Sequence, residues 1–280
     1  EHKFRINWSK VEFKDNVDDI EHPIVREALK MMDIDFPLEI STFADIPAQT
    51  GLGSSSAFAV GLLHALHALK GEMVTKGTLA AKASQLEIDI LGRKIGKQDH
   101  YSAAYGNLNV FTFHSNGSVS VDPVFYRPET KEAVDSHLML FYTAIKRDAN
   151  EILKPQSEKT DEKRRVLSKM KDLVTPIREV LSTGSNLHQI GTALHQGWLL
   201  KKSITEKISS SSIDEYYDSA LSAGALGGKL LGAGGGGFLL LYVEPQNQKT
   251  VEESLSSLYQ LPFQFENTGT RITYYDQLEV

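Results

Sequence analysis

The chain has 280 residues, 41% hydrophobic and 24% charged, with no cysteine and a formal net charge of −6. That length buries a core as one large domain or as two smaller ones, and the acidic balance excludes a general nucleic-acid binder, which needs a basic field. The absence of cysteine excludes disulfides and thiolate metal ligands and suits the cytoplasm; no apolar run approaches membrane-spanning length, so no membrane role is expected.

Phe4, Ile6, Trp8, Val11 and Phe13 give residues 3–13 the pattern of a strand. It starts almost at Glu1, with no initiator Met and no signal-like segment, and we expect part of the natural protein to precede it. Pro23 to about Met32 reads as a helix with proline near its first turn. Residues 37–46 read as a strand, Leu38, Ile40, Thr42, Ala44 and Ile46 alternating with more polar neighbours.

That strand runs into Pro47-Ala48-Gln49-Thr50-Gly51-Leu52-Gly53-Ser54-Ser55-Ser56-Ala57. Beyond it Phe58, Leu62, Leu66 and Leu69 recur at helical spacing, and Gly71 is a natural stop. The glycines let backbone approach a ligand closely. The helix start offers free N–H groups and a positive dipole end, and the serines add hydroxyls. Together these make an anion site, most simply for phosphate; the plainer alternative is a turn with a serine N-cap.

A second helix is expected over Thr75–Leu91, with Leu79, Ala83, Leu86 and Ile90 on its apolar face, Glu87 beside that face and Gly92 after it. Gly96–Gly106 is a turn or short helix carrying Lys97, Asp99 and His100. Asn109–Phe113 and Val119–Val121 form a hairpin through Ser115-Asn116-Gly117. The polar stretch 126–136, with Pro128, marks the boundary between two halves, 1–130 and 131–280. The second half should hold a strand at His137–Thr143 ending in Ala144-Ile145-Lys146-Arg147, and a charged, exposed connection or helix start at 155–165. Helices follow at 160–182, kinked by Pro176, at 186–204 and at 213–223. A buried strand at Phe238–Val243, a helix at 248–259 and a strand near 271–275 close the chain.

The glycines of Lys229–Gly237 include a formal G-x-G-x-x-G at 232, 234 and 237. A dinucleotide fingerprint follows a strand and opens a helix, whereas these glycines lead into a strand, so the match is a decoy. Close approach of backbone to a ligand or to the serine loop explains them better than a flexible hairpin. Glu87 and Asp99 form the acidic pair of interest, although each alone reads as a solvated charge. Phosphoryl transfer needs Mg²⁺ held by a few hard oxygens, for which one carboxylate and one serine hydroxyl suffice. It also needs a group that orients or deprotonates the attacking hydroxyl, and Asp serves. His64 with His67, and His188 with His195, lack a third ligand and read as core or surface histidines.

These motifs carry a resemblance. The loop at 47–57 matches the Pro-x-x-x-Gly-Leu-Gly-Ser-Ser phosphate loop of the GHMP kinases, and 229–237 matches their C-terminal glycine motif. Ile88-Asp89-Ile90-Leu91-Gly92, Gly96-Lys97-Gln98-Asp99 and Phe141-Tyr142-Thr143 are most similar, within that superfamily, to the D-glycero-D-manno-heptose 7-phosphate kinases. The resemblance implies an α+β fold in two halves, an N-terminal mixed-sheet domain with the phosphate loop and a ferredoxin-like C-terminal domain, with ATP and acceptor in a cleft. It implies that Ser55 and Glu87 hold Mg²⁺, that Gly51, Leu52, Gly53, Ser54 and Ser56 line the ATP phosphates, and that Gly234, Gly235 and Gly236 support that loop. Asp99 would act on the anomeric hydroxyl of a sugar phosphate, with Thr143 and Arg147 near the acceptor. Lys97 is added on chemical grounds as a partner for acceptor charge. The family's first motif, an N-terminal strand and Gly-rich turn, has no counterpart here, and Gln49 stands where related loops carry a smaller residue. Galactokinase or fucokinase chemistry is the alternative within the superfamily, and a homo-oligomer is left open. Outside it stand a serine hydrolase, since Gly53-Ser54-Ser55-Ser56-Ala57 approximates a nucleophile elbow, and a nucleotide- or sugar-phosphate-binding module without turnover.

Overall fold

A computed structural model describes residues 2–46, 50–145 and 161–276. Pro47 to Gln49 of the serine loop, and Lys146 and Arg147, lie outside the described residues. By packing, residues 2–46, 53–107 and 266–276 form one unit, and residues 50–52, 108–145 and 161–265 form another.

The first unit holds a three-stranded mixed sheet. β1 (Phe4–Asn7) pairs antiparallel with β2 (Val11–Lys14) and parallel with β3 (Leu38–Ser41). The single strand expected over 3–13 is thus a hairpin, closed by the Trp8 N–H donating to the Lys10 carbonyl at 2.9 Å. The turn shifts the alternation: Phe4 and Ile6 are buried, while Val11 and Phe13 are exposed. Glu12 is buried in their place because its carboxylate accepts the Trp8 indole N–H at 2.8 Å and the backbone N–H groups of Glu21 and His22 at 2.6 and 3.1 Å. β3 ends at Ser41, short of the expected Ile46.

α1 (Pro23–Met31) starts on proline, whose missing N–H costs nothing there, and buries Ile24, Val25, Ala28 and Leu29. α2 (Ser54–Leu69) buries Ala59, Val60, Leu62, Leu63 and Leu66. The second expected helix is α-helical only over α3 (Lys76–Ser84), which continues as a π-helix at Gln85–Ile90. There the Leu91 N–H reaches the Leu86 carbonyl at 3.0 Å, five residues back. The wider coil breaks the 3.6-residue phase, so Leu79, Ala83 and Leu86 are buried but Ile90 is 45% exposed. α4 (Gln98–Tyr105) realises the Gly-bounded turn as a helix. Residues 271–276 form no strand. This segment instead straps the end of α4, the Thr270 N–H donating to the Ala103 carbonyl at 2.9 Å.

In the second unit β4 (Asn109–Phe113) and β5 (Val119–Pro123) form the expected hairpin. The polar stretch at 126–136 is mostly helix, α5 (Pro128–His137), with Val134 buried. Next comes β6 (Leu138–Tyr142). In place of one helix kinked at Pro176 there are two, α6 (Asp161–Asp172) and α7 (Val174–Thr183). Pro176 sits in the first turn of α7, where no kink is required. α8 (His188–Lys202) and α9 (Ser211–Ser222) follow.

β7 (Ala225–Leu230), β8 (Phe238–Val243) and β9 (Tyr259–Gln260) complete an antiparallel sheet with β6, in the order β7-β8-β6-β9. α10 (Gln248–Ser254) lies between β8 and β9. Helices thus separate the first and second strands and the third and fourth, which is the β-α-β-β-α-β ferredoxin-like arrangement. Gly227 admits α8 to the sheet: a Cβ there would lie 2.1 Å from the Gly191 carbonyl oxygen. Met139, Phe141, Trp198, Tyr217, Leu239 and Leu241 lie in its core. Among the described residues no helix is long and apolar enough to cross a membrane.

Candidate functional site

The N-terminus of α2 is opened by Gly53, not capped by a serine. Gly53 is the N-cap, left-handed at φ 68 and ψ 21, and it has no side chain with which to cap the helix. A Cβ on Gly53 would stand 3.0 Å from Asp99 Cβ and Cγ and 3.1 Å from its Oδ2. Glycine is needed both for that conformation and for the space. Asp99, in the first turn of α4, therefore lays a solvent-exposed carboxyl group against the head of α2.

Ser55 and Ser56 both reach Glu87. Ser55 Oγ donates to Glu87 Oε1, and Ser56 Oγ donates to Oε2 at 2.9 Å. His100 Nε2 donates to Oε2 at 2.7 Å, and Arg93 Nη1 donates to both Ser55 Oγ and Glu87 Oε1. Glu87 and His100 are completely buried, whereas the Arg93 side chain is 30% exposed. The two carboxylate oxygens differ accordingly: Oε2 is enclosed by Ser56 and His100, and Oε1 faces Ser55 and a partly exposed cation.

Burial by itself would raise the Glu87 pKa; hydrogen bonds from His100, Ser55 and Ser56, with the charge on His100, outweigh it and hold the carboxyl at about 2. The native state then binds fewer protons than the unfolded chain between the usual 4.5 and about 2. Stability from this group is complete above 4.5 and is lost as pH falls toward 2. Urea unfolding as a function of pH should show a loss of about 3 kcal/mol over that window.

In the second unit the two glycine-rich segments touch. A Cβ on Gly51 would lie 2.9 Å from the Leu231 carbonyl oxygen, and one on Gly232 would lie 2.7 Å from Gly51 Cα. Gly237, at φ +98, has the Thr50 carbonyl oxygen 2.1 Å from where a Cβ would stand. Gly234 and Gly236 have Ile208 and Ile145 as their nearest neighbours, and the Gly235 N–H donates to the Ile208 carbonyl at 2.5 Å. The glycines pressed on the serine loop are thus 232 and 237, rather than the 234–236 run. Gly237→Ala should cost about 2–5 kcal/mol, as backbone strain and overpacking act together, and urea denaturation measures it.

Two expected side-chain roles change, those of Ser56 and Thr143. Ser56 is buried with its hydroxyl committed to Glu87, so it has only backbone to offer a phosphate. Thr143 is buried too: its hydroxyl and its N–H donate to the Gly237 carbonyl at 2.8 and 2.9 Å, fastening the glycine turn to the end of β6 instead of facing an acceptor. Lys97 is the N-cap residue of α4. Arg147 lies outside the described residues. The hydrolase reading loses its geometry, because a triad needs histidine on the serine and here Ser55, Ser56 and His100 all converge on Glu87. His64 pairs with Thr270, His67 with Glu72 and Lys82, and His195 with Tyr217.

Sequence reasoning missed His100 and Arg93 as parts of this arrangement, whereas it brought the 229–237 glycines to the serine loop, where the contact falls on Gly232 and Gly237. For His100 the signal was adjacency to Asp99. Nothing in the local pattern marks Arg93.

Residues 23–107 match the family described as GHMP kinases N terminal domain, and residues 173–261 match GHMP kinases C terminal. These matches span more than half of the chain, and the protein belongs to the GHMP kinase family, whose members are ATP-dependent kinases that generally use a divalent metal. It is 28% identical over 241 residues to a D-glycero-alpha-D-manno-heptose 7-phosphate kinase of Campylobacter jejuni, covering 84% of this chain and 71% of the relative. A galactokinase of Pyrococcus furiosus is 25% identical over 248 residues, covering 78% and 68%. In fold the chain is similar to the crystal structure of a D-glycero-D-manno-heptose 1-phosphate kinase from Bacteroides thetaiotaomicron, with a TM-score of 0.70, 24% identity, and 95% and 81% of the two chains covered.

Proposed function

We propose that the chain is an ATP-dependent kinase of a sugar hydroxyl, with the anomeric hydroxyl of D-glycero-D-manno-heptose 7-phosphate as acceptor. One observation carries the reading: the Ser55–Glu87 oxygen pair and the Asp99 carboxyl group both gather at the N-terminus of α2, whose N-cap is glycine. That end favours anions through its free N–H groups and dipole.

The donor set fits Mg²⁺. Glu87 Oε1 and Ser55 Oγ are two hard oxygens already facing a common cation, the Arg93 guanidinium. They leave most coordination positions to phosphates and water, as Mg²⁺ prefers. When bound, the ion would offset charge on the β- and γ-phosphate oxygens. Gly51, Leu52, Gly53, Ser54 and Ser56 would offer backbone N–H groups to the phosphates, and Thr50 and Gly51 would be braced by the glycine turn at 232–237. Asp99 would take the proton of the attacking hydroxyl. Lys97 and Arg147 would meet the charge of a phosphorylated acceptor.

The heptose acceptor is favoured by the similarity to the Campylobacter jejuni kinase; similarity to galactokinase and to an L-fucokinase of Bacteroides fragilis makes those sugars the other candidates. The test is coupled ADP release with Mg-ATP over heptose 7-phosphate, galactose, fucose and mevalonate. The highest kcat/KM is expected with the heptose phosphate. Turnover with galactose or fucose alone would move the acceptor. ATP binding without ADP release on the whole panel would overturn the kinase reading and leave a nucleotide-binding module.

A further inference from the structure

We infer that Arg93 is a built-in rival of the divalent cation at the Ser55–Glu87 pair, so that bare metal is turned away and only metal arriving with a nucleotide is accepted. The inference rests on the proposed reading of that pair as the metal ligands.

Glu87 Oε2 is tied down by Ser56 at 2.9 Å and by His100 at 2.7 Å, and these three side chains are buried. The oxygen left for a cation is Oε1, and Arg93 Nη1 donates to that atom and to Ser55 Oγ. Glu87 Oε1 already accepts from Ser55 Oγ and Arg93 Nη1, which fills its two lone pairs, so a metal ion there has to take the place of the guanidinium, and the two cations repel each other at contact. Binding of one therefore expels the other. Arg93 is built to leave: its side chain is 30% exposed, and it lies in residues 91–97, outside any helix or strand. Its backbone stays fixed meanwhile, with the Arg93 N–H donating to the Glu87 carbonyl at 3.0 Å.

A threshold follows. A bare cation gains one carboxylate oxygen, one hydroxyl and water, and must break a charge-assisted contact to do so. A cation carried by a triphosphate brings further ligands of its own, and anionic phosphate oxygens are natural partners for a released guanidinium.

The experiment titrates Mn²⁺ into the nucleotide-free full chain, followed by electron paramagnetic resonance of the free ion. Wild type, Arg93→Met, Arg93→Gln and Arg93→Met with Glu87→Gln are compared. Removing the rival should tighten Mn²⁺ binding at least about tenfold, the usual scale of one charge-assisted hydrogen bond, and Glu87→Gln should abolish the gain. A second readout is thermal: Mn²⁺ should raise the Tm of Arg93→Met and leave that of wild type nearly unchanged. Arg93→Gln carries the test if Arg93→Met does not fold. Equal Mn²⁺ affinity in wild type and the Arg93 variants would overturn the rivalry while leaving the metal pair standing. No Mn²⁺ binding by any variant at millimolar concentration would remove the metal pair itself, and the inference with it.

Discussion

Asp99→Asn is expected to lower kcat at least about a hundredfold, the usual size for loss of a positioned base, while ATP affinity changes little. Asparagine has nearly the same shape, so it can rest against Gly53 as Asp99 does, where a Cβ on Gly53 would come within 3.0 Å of the side chain. What it lacks is the capacity to accept a proton from the attacking hydroxyl. Asp99 is solvent-exposed in the first turn of α4, so losing its charge costs the helix less than about 1 kcal/mol. Tm should therefore hold, which separates a chemical loss from a folding one. ADP release at saturating substrates gives kcat, and calorimetric titration with a non-hydrolysable ATP analogue gives the affinity. An Asn variant turning over at the wild-type rate would refute the role given to Asp99.

The elements that the sequence announced are those whose periodicity and punctuation agree. α2 begins where glycine and serine meet a helical apolar repeat and ends just before Gly71; β8 is a short apolar run after a glycine turn, and both stand within a residue or so of expectation. Ser55, Glu87 and Asp99 were singled out by residue type and by the family resemblance, and the fold brings Ser55 to Glu87 and Asp99 to Gly53. What escaped depends on contacts made at long range. β7 drew no strand reading because Gly227 and Gly228 interrupt it, and the reason for Gly227 is α8 pressing on the strand. The hairpin at the start of the chain looked like one strand because Trp8 continued the apolar pattern through the turn. The π-helix at 85–90 has no signature in residue spacing, yet it holds Glu87 and precedes Arg93. The resemblance alone set Thr143 near the acceptor; only the packed sheet reveals that its hydroxyl is used by Gly237. Partners chosen in three dimensions, such as Arg93 and His100 for one carboxylate, leave no local trace.

Glu87→Gln should produce two losses that can be measured apart. The amide keeps the shape of the carboxylate but turns one oxygen into a donor. Every neighbour of Glu87 faces it as a donor: Ser56 and His100 on one oxygen, Ser55 and Arg93 on the other. The hydroxyls can rotate and the His100 imidazole can turn an unprotonated Nε2 to accept, but the guanidinium cannot. The amide oxygen is therefore left to Ser55 and Arg93, the other side must give up the His100 proton, and the charge that paired Arg93 is gone. Removing one partner of a buried ion pair costs about 3–5 kcal/mol, and urea unfolding at neutral pH should read a loss of that order. The difference between variant and wild type should shrink as pH falls from 4.5 toward 2, because the wild-type carboxyl, held at about 2, then takes up its proton. Turnover should fall separately, by at least about a hundredfold, because a divalent ion on the phosphates supplies several kcal/mol of charge stabilisation. Raising Mg²⁺ should recover part of the turnover and none of the stability lost in metal-free buffer. A variant as stable as wild type at neutral pH would mean that the charge on Glu87 does not hold this part of the unit together, and full activity at low Mg²⁺ would mean that its Oε1 is not where the metal sits.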